Sequence, residues 1–228
     1  MATEKSIKAV IFDMDGLLLD TETLALAAMV AGGEVLGYEV SDELCQQVIG
    51  VPADRVRTML HEVYGEDFPV DRFFEEQEKT LHEMLEPGRL QLKAGGIKML
   101  DLLDEFNIPR GIATSSSRYR ADRHLEKAGI LDRFNVVVSR DDVSRGKPNP
   151  DPYLSAANKL GVNPEYCLAL EDSYNGIRAA HAAQIRVIMV PDLLPATDEM
   201  RSIALNVVKS LDEVVSWLRP ILDQQAGQ

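Results

Sequence analysis

From Leu92 onward, the sequence alternates short apolar runs with amphipathic stretches of about ten residues, a pattern typical of βαβ units that form a parallel sheet. The runs predicted as strands are 109–114, 136–139, 166–170, 185–190 and 205–208. The stretches predicted as helices are 96–106, 118–127, 152–160, 175–183 and 211–218. We therefore expect an α/β fold here, followed by a frayed tail, QQAGQ.

A further apolar run near the N-terminus, residues 7–12, ends abruptly at Asp13-Met14-Asp15-Gly16. Because successive side chains of an extended chain point to opposite sides, Asp13 and Asp15 lean to the same side, about 6.5 Å apart. Gly16 allows the backbone to turn sharply after them. Two carboxylates that face one space indicate a cation or a reaction, although an Asp-rich turn that merely closes a strand gives the same pattern.

Between Gly16 and Pro87 the sequence has helical patterns and no strand pattern. The helices predicted are one from Thr21 or Thr23 to residue 36, then 42–49, 53–64 and 71–86. Gly37 is placed to end the first of them, Gly32-Gly33 indicates a kink or break inside it, and Pro87-Gly88 indicates a hinge.

We therefore predict two domains, an α/β core of residues 1–16 and 92–228 and an all-helical insertion of residues 17–91. An insertion after the first strand would lie above the carboxyl edge of the sheet, where open α/β folds bind ligands. It is placed to act as a lid, and we expect it to close by rotating about its two hinges.

The net charge of −13 argues against non-specific binding to nucleic acids, which needs a basic surface. The N-terminal residues lack the apolar core of a signal peptide, and no run approaches the length of a membrane span. We expect a cytoplasmic protein without a membrane or nucleic-acid partner.

Polar residues follow several of the predicted strands at their carboxyl ends, which meet at one edge of a parallel sheet. They are Asp13 and Asp15, then Thr114, Ser115 and Ser116, then Lys147 in a loop of turn residues, and finally Glu171 and Asp172. Each alone has an ordinary explanation, such as a helix cap or a solvated loop charge. Their coincidence at one edge does not.

These residue types suit phosphoryl transfer. Carboxylates form the all-oxygen site that Mg²⁺ prefers, and the start of a helix after Thr114 would bind phosphate. Lys147 would supply a positive charge for the transferred oxygens. A carboxylate can act as a nucleophile and form an acyl phosphate.

Four motifs, FDMDG, ATSSS, RGKPNPDPY and LEDSYNGIRAA, resemble those of haloacid dehalogenase (HAD) superfamily phosphatases, whose Rossmann-like parallel sheet carries an inserted helical cap. The resemblance covers essentially the whole chain. It implies that Asp13 is the phosphorylated nucleophile and that Asp15 acts as acid and then as base. It also implies a Mg²⁺ site of Asp13, the Asp15 backbone carbonyl and Asp172, with Glu171 beside it or as an occasional ligand.

The resemblance leaves several points open. Thr114 best fits the phosphate-binding hydroxyl, and Ser115, one residue away, is the alternative. Substrate choice in this family depends largely on the cap, where Glu22 and Arg55 are the candidates. The expected substrate is a small phosphomonoester, such as a sugar phosphate or a nucleoside monophosphate, and the expected state is a monomer.

The alternative function is a sugar phosphomutase similar to β-phosphoglucomutase, which shares all four motifs. Such mutases carry a histidine five residues after the aspartate that ends the first motif. Counted from Asp20, this sequence has Ala25 at that place, which favours the phosphatase.

Overall fold

A computed structural model describes residues 6–49, 51, 53–84 and 90–227. It divides the chain into two compact units. Unit 1 contains the residues up to Leu19 and those from Gln91 on, and unit 2 runs from Asp20 to Leu90. The division lies within a few residues of the predicted domain boundaries. The predicted hinge at Pro87-Gly88 lies outside the described residues.

Unit 1 is built on a parallel sheet, as the strand pattern predicts. Its strands are β1 (Ala9–Phe12), β2 (Arg110–Ala113), β3 (Val136–Val138), β4 (Cys167–Glu171), β5 (Arg186–Met189) and β6 (Asn206–Val207). They lie in the order β3-β2-β1-β4-β5-β6. Strands β1 to β3 therefore follow one another toward one edge of the sheet, and strands β4 to β6 follow one another toward the other edge.

Helices cover this sheet. They are α5 (Gly96–Glu105), α6 (Arg118–Lys127), α7 (Asp151–Leu160), α8 (Tyr174–Ala182), α9 (Asp198–Ile203) and α10 (Leu211–Ala226), numbered after the four helices of unit 2. The α7 helix packs on β1, β2 and β3, α8 packs on β4 and β5, and α5 packs against α10. The alanine-rich faces of α7 and α8 are fully buried against the sheet, which fixes the loops that precede both helices.

The C-terminus departs from the prediction. Up to Ala226 the tail is helical rather than frayed, because α10 continues to that residue. The side chain of Gln225 accepts a hydrogen bond from the Ile7 amide and donates one to the Ile7 carbonyl, both at 3.0 Å. These two bonds fix the end of the helix to the residues that lead into β1. The sequence prediction also missed α9, a single short helix.

The secondary-structure elements among the described residues of unit 2 are all helices, as predicted. Its helices are α1 (Glu22–Leu36), α2 (Asp42–Val48), α3 (Ala53–Tyr64) and α4 (Val70–Met84). The α1 and α4 helices form its main contact, and its core includes Met29, Leu60 and Phe73. Gly37 ends α1 with φ of 80°, in the left-handed conformation that glycine adopts readily.

The predicted break at Gly32-Gly33 is wrong, because α1 runs through both glycines. They serve close packing instead. A Cβ at Gly33 would lie 2.5 Å from a Val40 methyl carbon, and one at Gly32 would lie 3.1 Å from the Gln77 backbone of α4. The two glycines let α1 approach its neighbours more closely than a larger residue would allow.

Candidate active site

The polar residues predicted to share one edge meet at the end of β1. The strand order of the sheet reverses between β1 and β4. Phe12, the last residue of β1, lies opposite Ile112 of β2 and Leu170 of β4. The Asp13 amide extends the pairing by donating to the Leu170 carbonyl at 2.9 Å. Asp13 therefore lies beside Glu171, at the switch point where open α/β sheets bind ligands.

Lys147 reaches this place from the loop before α7 and binds two carboxylates. Its Nζ donates to Asp13 Oδ1 and, at 2.5 Å, to Glu171 Oε1. All three side chains are buried. We call Asp13, Lys147 and Glu171 the buried triad.

Burial decides the electrostatics of the triad. Burial raises the pKa of Asp13 well above its usual range, and the charges of Glu171 and Asp15 raise it further against the opposing effect of Lys147. Burial alone would lower the pKa of Lys147, but the two carboxylates outweigh it and raise that pKa. One ammonium group therefore lies among several carboxylates, and this excess of negative charge would favour the binding of a further cation.

Glu171 is held on both of its oxygens. Oε1 accepts from Lys147 and from the hydroxyl of Tyr153 at 2.7 Å, and Oε2 accepts from Ser173 Oγ at 3.0 Å and from two backbone amides. Burial and the Glu171 charge raise the pKa of Tyr153 well above its usual range, so this hydroxyl remains a donor. A Cβ at Gly176 would lie 1.7 Å from Glu171 Oε1, so glycine is needed there.

Three buried carboxylates in this group could hold a metal ion. One oxygen each from Asp13, Glu171 and Asp172 lies within 4.8 Å of the others. Such a set fits Mg²⁺, which prefers carboxylate oxygens supplemented by waters and substrate phosphate. Because the Glu171 oxygens already accept several hydrogen bonds, Asp13 and Asp172 are the better placed ligands. Asp15, predicted to bind through its backbone carbonyl, is not one of these three carboxylates.

The Asp15 carboxylate lies at the same edge, among residues that follow β2. Its Oδ2 accepts from Ser116 Oγ at 2.7 Å and lies 3.5 Å from Thr114 Oγ1. Its Oδ1 lies 3.8 Å from Nδ1 of His124 on α6. Asp15 remains partly exposed, unlike Asp13.

The segment between β2 and α6 places the predicted phosphate-binding hydroxyls. Thr114 is buried, and its Oγ1 accepts from the Ser116 amide at 3.0 Å. Ser115 is exposed. Ser117 caps α6 by accepting from the Arg120 amide at 3.3 Å. Thr114 and Ser115 both remain candidates, and Ser116 in this arrangement binds Asp15.

The two predicted specificity residues belong to unit 2. Glu22 is the first residue of α1. Arg55 on α3 binds Glu62 of the same helix through two hydrogen bonds of 2.9 and 3.2 Å, and this ion pair is exposed. The roles of Glu22 and Arg55 in substrate choice stay predictions.

Sequence reasoning gave no role to Tyr153 or His124. The sequence feature that could have revealed both residues is their position on the apolar face of a predicted helix. Tyr153 shares the buried face of α7 with Ala156 and Ala157, and His124 lies next to Leu125 on the buried face of α6. A polar tip on such a face needs a partner inside the protein.

Comparison with known proteins identifies the family. A family model described as haloacid dehalogenase-like hydrolase matches residues 10–190, more than half of the chain. The chain belongs to this family. The resemblance predicted from the four motifs is confirmed, and so is the α/β fold with a parallel sheet.

Several HAD relatives match nearly end to end. The phosphorylated carbohydrates phosphatase of Thermotoga maritima is 30% identical over 95% of this chain and 100% of its own. Hexitol phosphatase B of Escherichia coli K12 is 32% identical over 95% of this chain and 98% of its own. The structure of CbbY from Rhodobacter sphaeroides in complex with phosphate is 26% identical, covers 91% of this chain and 96% of its own, and has a TM-score of 0.77.

Proposed function

We propose that this HAD protein is a Mg²⁺-dependent phosphatase that hydrolyses small phosphomonoesters through an aspartyl phosphate at Asp13. The observation that carries the proposal is the buried triad at the switch point. Lys147 binds the Asp13 carboxylate, and the carboxylates of Glu171 and Asp172 lie beside it. A carboxylate nucleophile needs nearby positive charge, because the phosphate that it attacks is an anion.

The reaction has two steps. In the first, a carboxylate oxygen of Asp13 forms a bond to phosphorus while the bond from phosphorus to the ester oxygen breaks. Asp15 gives its proton to the departing oxygen. In the second, Asp15 takes a proton from a water molecule whose oxygen attacks phosphorus, which releases phosphate and restores Asp13. The position of Asp15, partly exposed at the same edge, supports this acid-then-base role.

Lys147 and Glu171 determine the charge around Asp13. Lys147 offsets part of the charge of Asp13 and the phosphate, while Glu171, held by Tyr153 and Ser173, keeps the lysine in position. Mg²⁺, when bound, would add positive charge next to the phosphate oxygens. Asp13 and Asp172 would be its ligands, with Glu171 beside them.

The names of the relatives support a substrate class. Proteins named phosphorylated carbohydrates phosphatase and hexitol phosphatase B match almost the full chain, which supports a phosphorylated sugar or sugar alcohol. A nucleoside monophosphate is the second class to test. The phosphomutase alternative is not better supported than the phosphatase, and Ala25 occupies the place of the expected histidine.

No helix among the described residues combines the length and the apolar character needed to cross a bilayer. We expect a small phosphorylated molecule as the substrate partner, with Mg²⁺ as the cofactor. The cytoplasmic location, the monomeric state and the absence of nucleic-acid binding stay predictions.

The test is phosphate release from a panel of a hexose phosphate, a hexitol phosphate, a nucleoside monophosphate and p-nitrophenyl phosphate, with Mg²⁺ or with a chelator. Asp13→Asn keeps the shape of the side chain but removes the nucleophilic carboxylate. We expect it to lower phosphate release by roughly 10³-fold or more. Asp132→Asn, at an exposed aspartate of the same unit, is the control and should leave the rate unchanged.

Release that needs Mg²⁺ and Asp13 would support the proposal. Release that survives Asp13→Asn would overturn the nucleophile. An absence of release from every ester, with transfer of phosphate between sugar positions, would favour the mutase.

A further inference from the structure

His124 is a buried histidine that the proposed reaction does not use. It lies on α6 with 3% of its surface exposed, on the helix face that packs inward. Its Nδ1 is buried and makes no hydrogen bond to any residue that the structure describes. The Oδ1 atom of Asp15 lies 3.8 Å from this nitrogen.

A buried ring nitrogen without a hydrogen bond is costly, so its surroundings should offer it a partner in some state of the protein. The Asp15 carboxylate is the acidic group that the structure places within 4 Å of it. Hydrogen bonds of catalytic groups are often long before the substrate binds and shorten afterwards. A shift of about 1 Å would bring the two atoms to hydrogen-bond distance.

We propose that His124 is a positioning residue for Asp15, donating its Nδ1–H to Asp15 Oδ1 when a phosphomonoester is bound. Ser116 Oγ already donates to Oδ2, so the carboxyl group would be held through both of its oxygens. Each carboxyl oxygen has two acceptor sites, which leaves room for the proton that Asp15 transfers. The two bonds fix the plane of the carboxyl group, and they stabilise the ionised form that remains after the transfer.

This inference rests on the proposed function, in which Asp15 protonates the leaving oxygen. That role matters only when the leaving group is a poor one. An alkoxide from a hexitol phosphate needs the proton, whereas p-nitrophenolate leaves readily without it. A defect in the position of Asp15 should therefore separate the two substrates, while a general loss of folded protein should affect both equally.

The experiment compares kcat/KM for the two esters, because kcat/KM reports the steps up to the first irreversible one, here the transfer to Asp13. His124→Leu removes the ring nitrogen and keeps an apolar residue of similar size. We expect a loss of about tenfold or more with the hexitol phosphate and about threefold or less with p-nitrophenyl phosphate. His124→Asn, whose amide can reach where Nδ1 lies, should recover most of the loss.

Leu125→Val, at the neighbouring buried residue of α6, is the control for packing and should change both substrates alike. If His124→Leu does not fold, His124→Met fills the same space with a flexible apolar chain, and the same separation is expected. Equal losses with both esters, or no loss with either, would overturn the inference while the phosphatase stands. A wild-type protein that hydrolyses neither ester would overturn the proposed function, and the inference with it.

Discussion

Two groups in unit 1 each place one cation between two carboxylates and differ in burial, and in the second group one carboxylate, Asp104, is also bound by Arg110. In the buried triad, Lys147 is 3% exposed, Asp13 9% and Glu171 0%. In a second group, the exposed triad, Arg133 binds Asp101 at 2.8 Å and Asp104 at 2.6 Å. Those side chains are 28%, 61% and 50% exposed.

One carboxylate in each group has a shifted pKa, and the two shifts run in opposite directions. Hydrogen bonds from Arg110 and Arg133, together with the charges of both arginines, hold the pKa of Asp104 below its usual range against the opposing effect of burial. The pKa of Asp13 is raised, because burial outweighs its bond to Lys147. An exposed ion pair contributes little to stability, whereas a buried one costs solvation of each ion. Charges are kept in the buried triad at a cost in stability, which the proposed chemistry explains.

The largest difference between the triads should come from removing the cation of each. Lys147→Met leaves two buried carboxylates uncompensated and should lower the free energy of unfolding by about 3–5 kcal/mol at neutral pH. Arg133→Met, the matched change in the exposed triad, should cost about 1 kcal/mol or less. Urea unfolding of both variants measures the two costs.

The rate of phosphate release should also differ between the two variants. We expect Lys147→Met to lose roughly 10²-fold or more in rate, because the charge near the reacting phosphate is gone. Arg133→Met should keep the wild-type rate. Similar losses of stability in the two variants would mean that burial does not distinguish the triads.

A smaller effect should follow from removing the hydroxyl that supports Glu171. Tyr153→Phe deletes the bond to Glu171 Oε1 and should destabilise the protein by about 2 kcal/mol, as expected for a hydrogen bond to a charged group. Because Glu171 holds Lys147, we also expect the rate of phosphate release to fall by about tenfold.

The matched control is Tyr174→Phe, whose hydroxyl donates to the neutral Pro195 carbonyl at 2.6 Å at an exposed place. It should cost about 1 kcal/mol or less and leave the rate unchanged. Equal costs for the two tyrosines would contradict the special role of the Glu171 network. Thermal or urea unfolding and steady-state rates provide both measurements.

The smallest expected effect lies at a carboxylate of intermediate exposure, Asp142. Burial alone would raise its pKa, but hydrogen bonds from Ser139 and the charges of Arg118 and Lys159 lower it. A pKa lowered by folding means stability that is present above the ordinary pKa and lost as the pH falls through the folded one. Asp142→Asn should therefore cost about 1 kcal/mol at pH 7, and this difference should shrink below about pH 4.

Urea unfolding of wild type and Asp142→Asn at several pH values tests this. Asp132→Asn, at an exposed aspartate, should show no such pH-dependent difference. A cost that stays constant down to pH 3 would show that the carboxylate charge is not what stabilises the protein here.

The sequence predicts the sheet well, because strand identity depends on local apolar runs and strand ends carry the polar residues. It places Asp13, Asp15, Thr114, Lys147 and Asp172 at one edge from the βαβ pattern alone. The prediction fails where a long-range contact determines the local structure. Gly32-Gly33 looks like a break until Gln77 and Val40 are known to approach it.

The same limit applies at the site. Glu171 is predicted beside the metal, but its bonds to Lys147 and Tyr153 depend on how α7 lies on the sheet. His124 lies on a buried helix face in the sequence pattern, yet only the fold shows that this face meets Asp15. Residues that act through another residue are therefore harder to predict than those at strand ends.

The central claim is that Asp13 carries the phosphoryl group. The most direct test mixes the enzyme with the best ester, quenches the reaction within one turnover and treats the protein with borohydride, which reduces an aspartyl phosphate to homoserine. Peptide mapping then locates the change. Homoserine at residue 13, only when substrate was present, is the result we predict. An unchanged Asp13, with homoserine at another aspartate, would contradict the account.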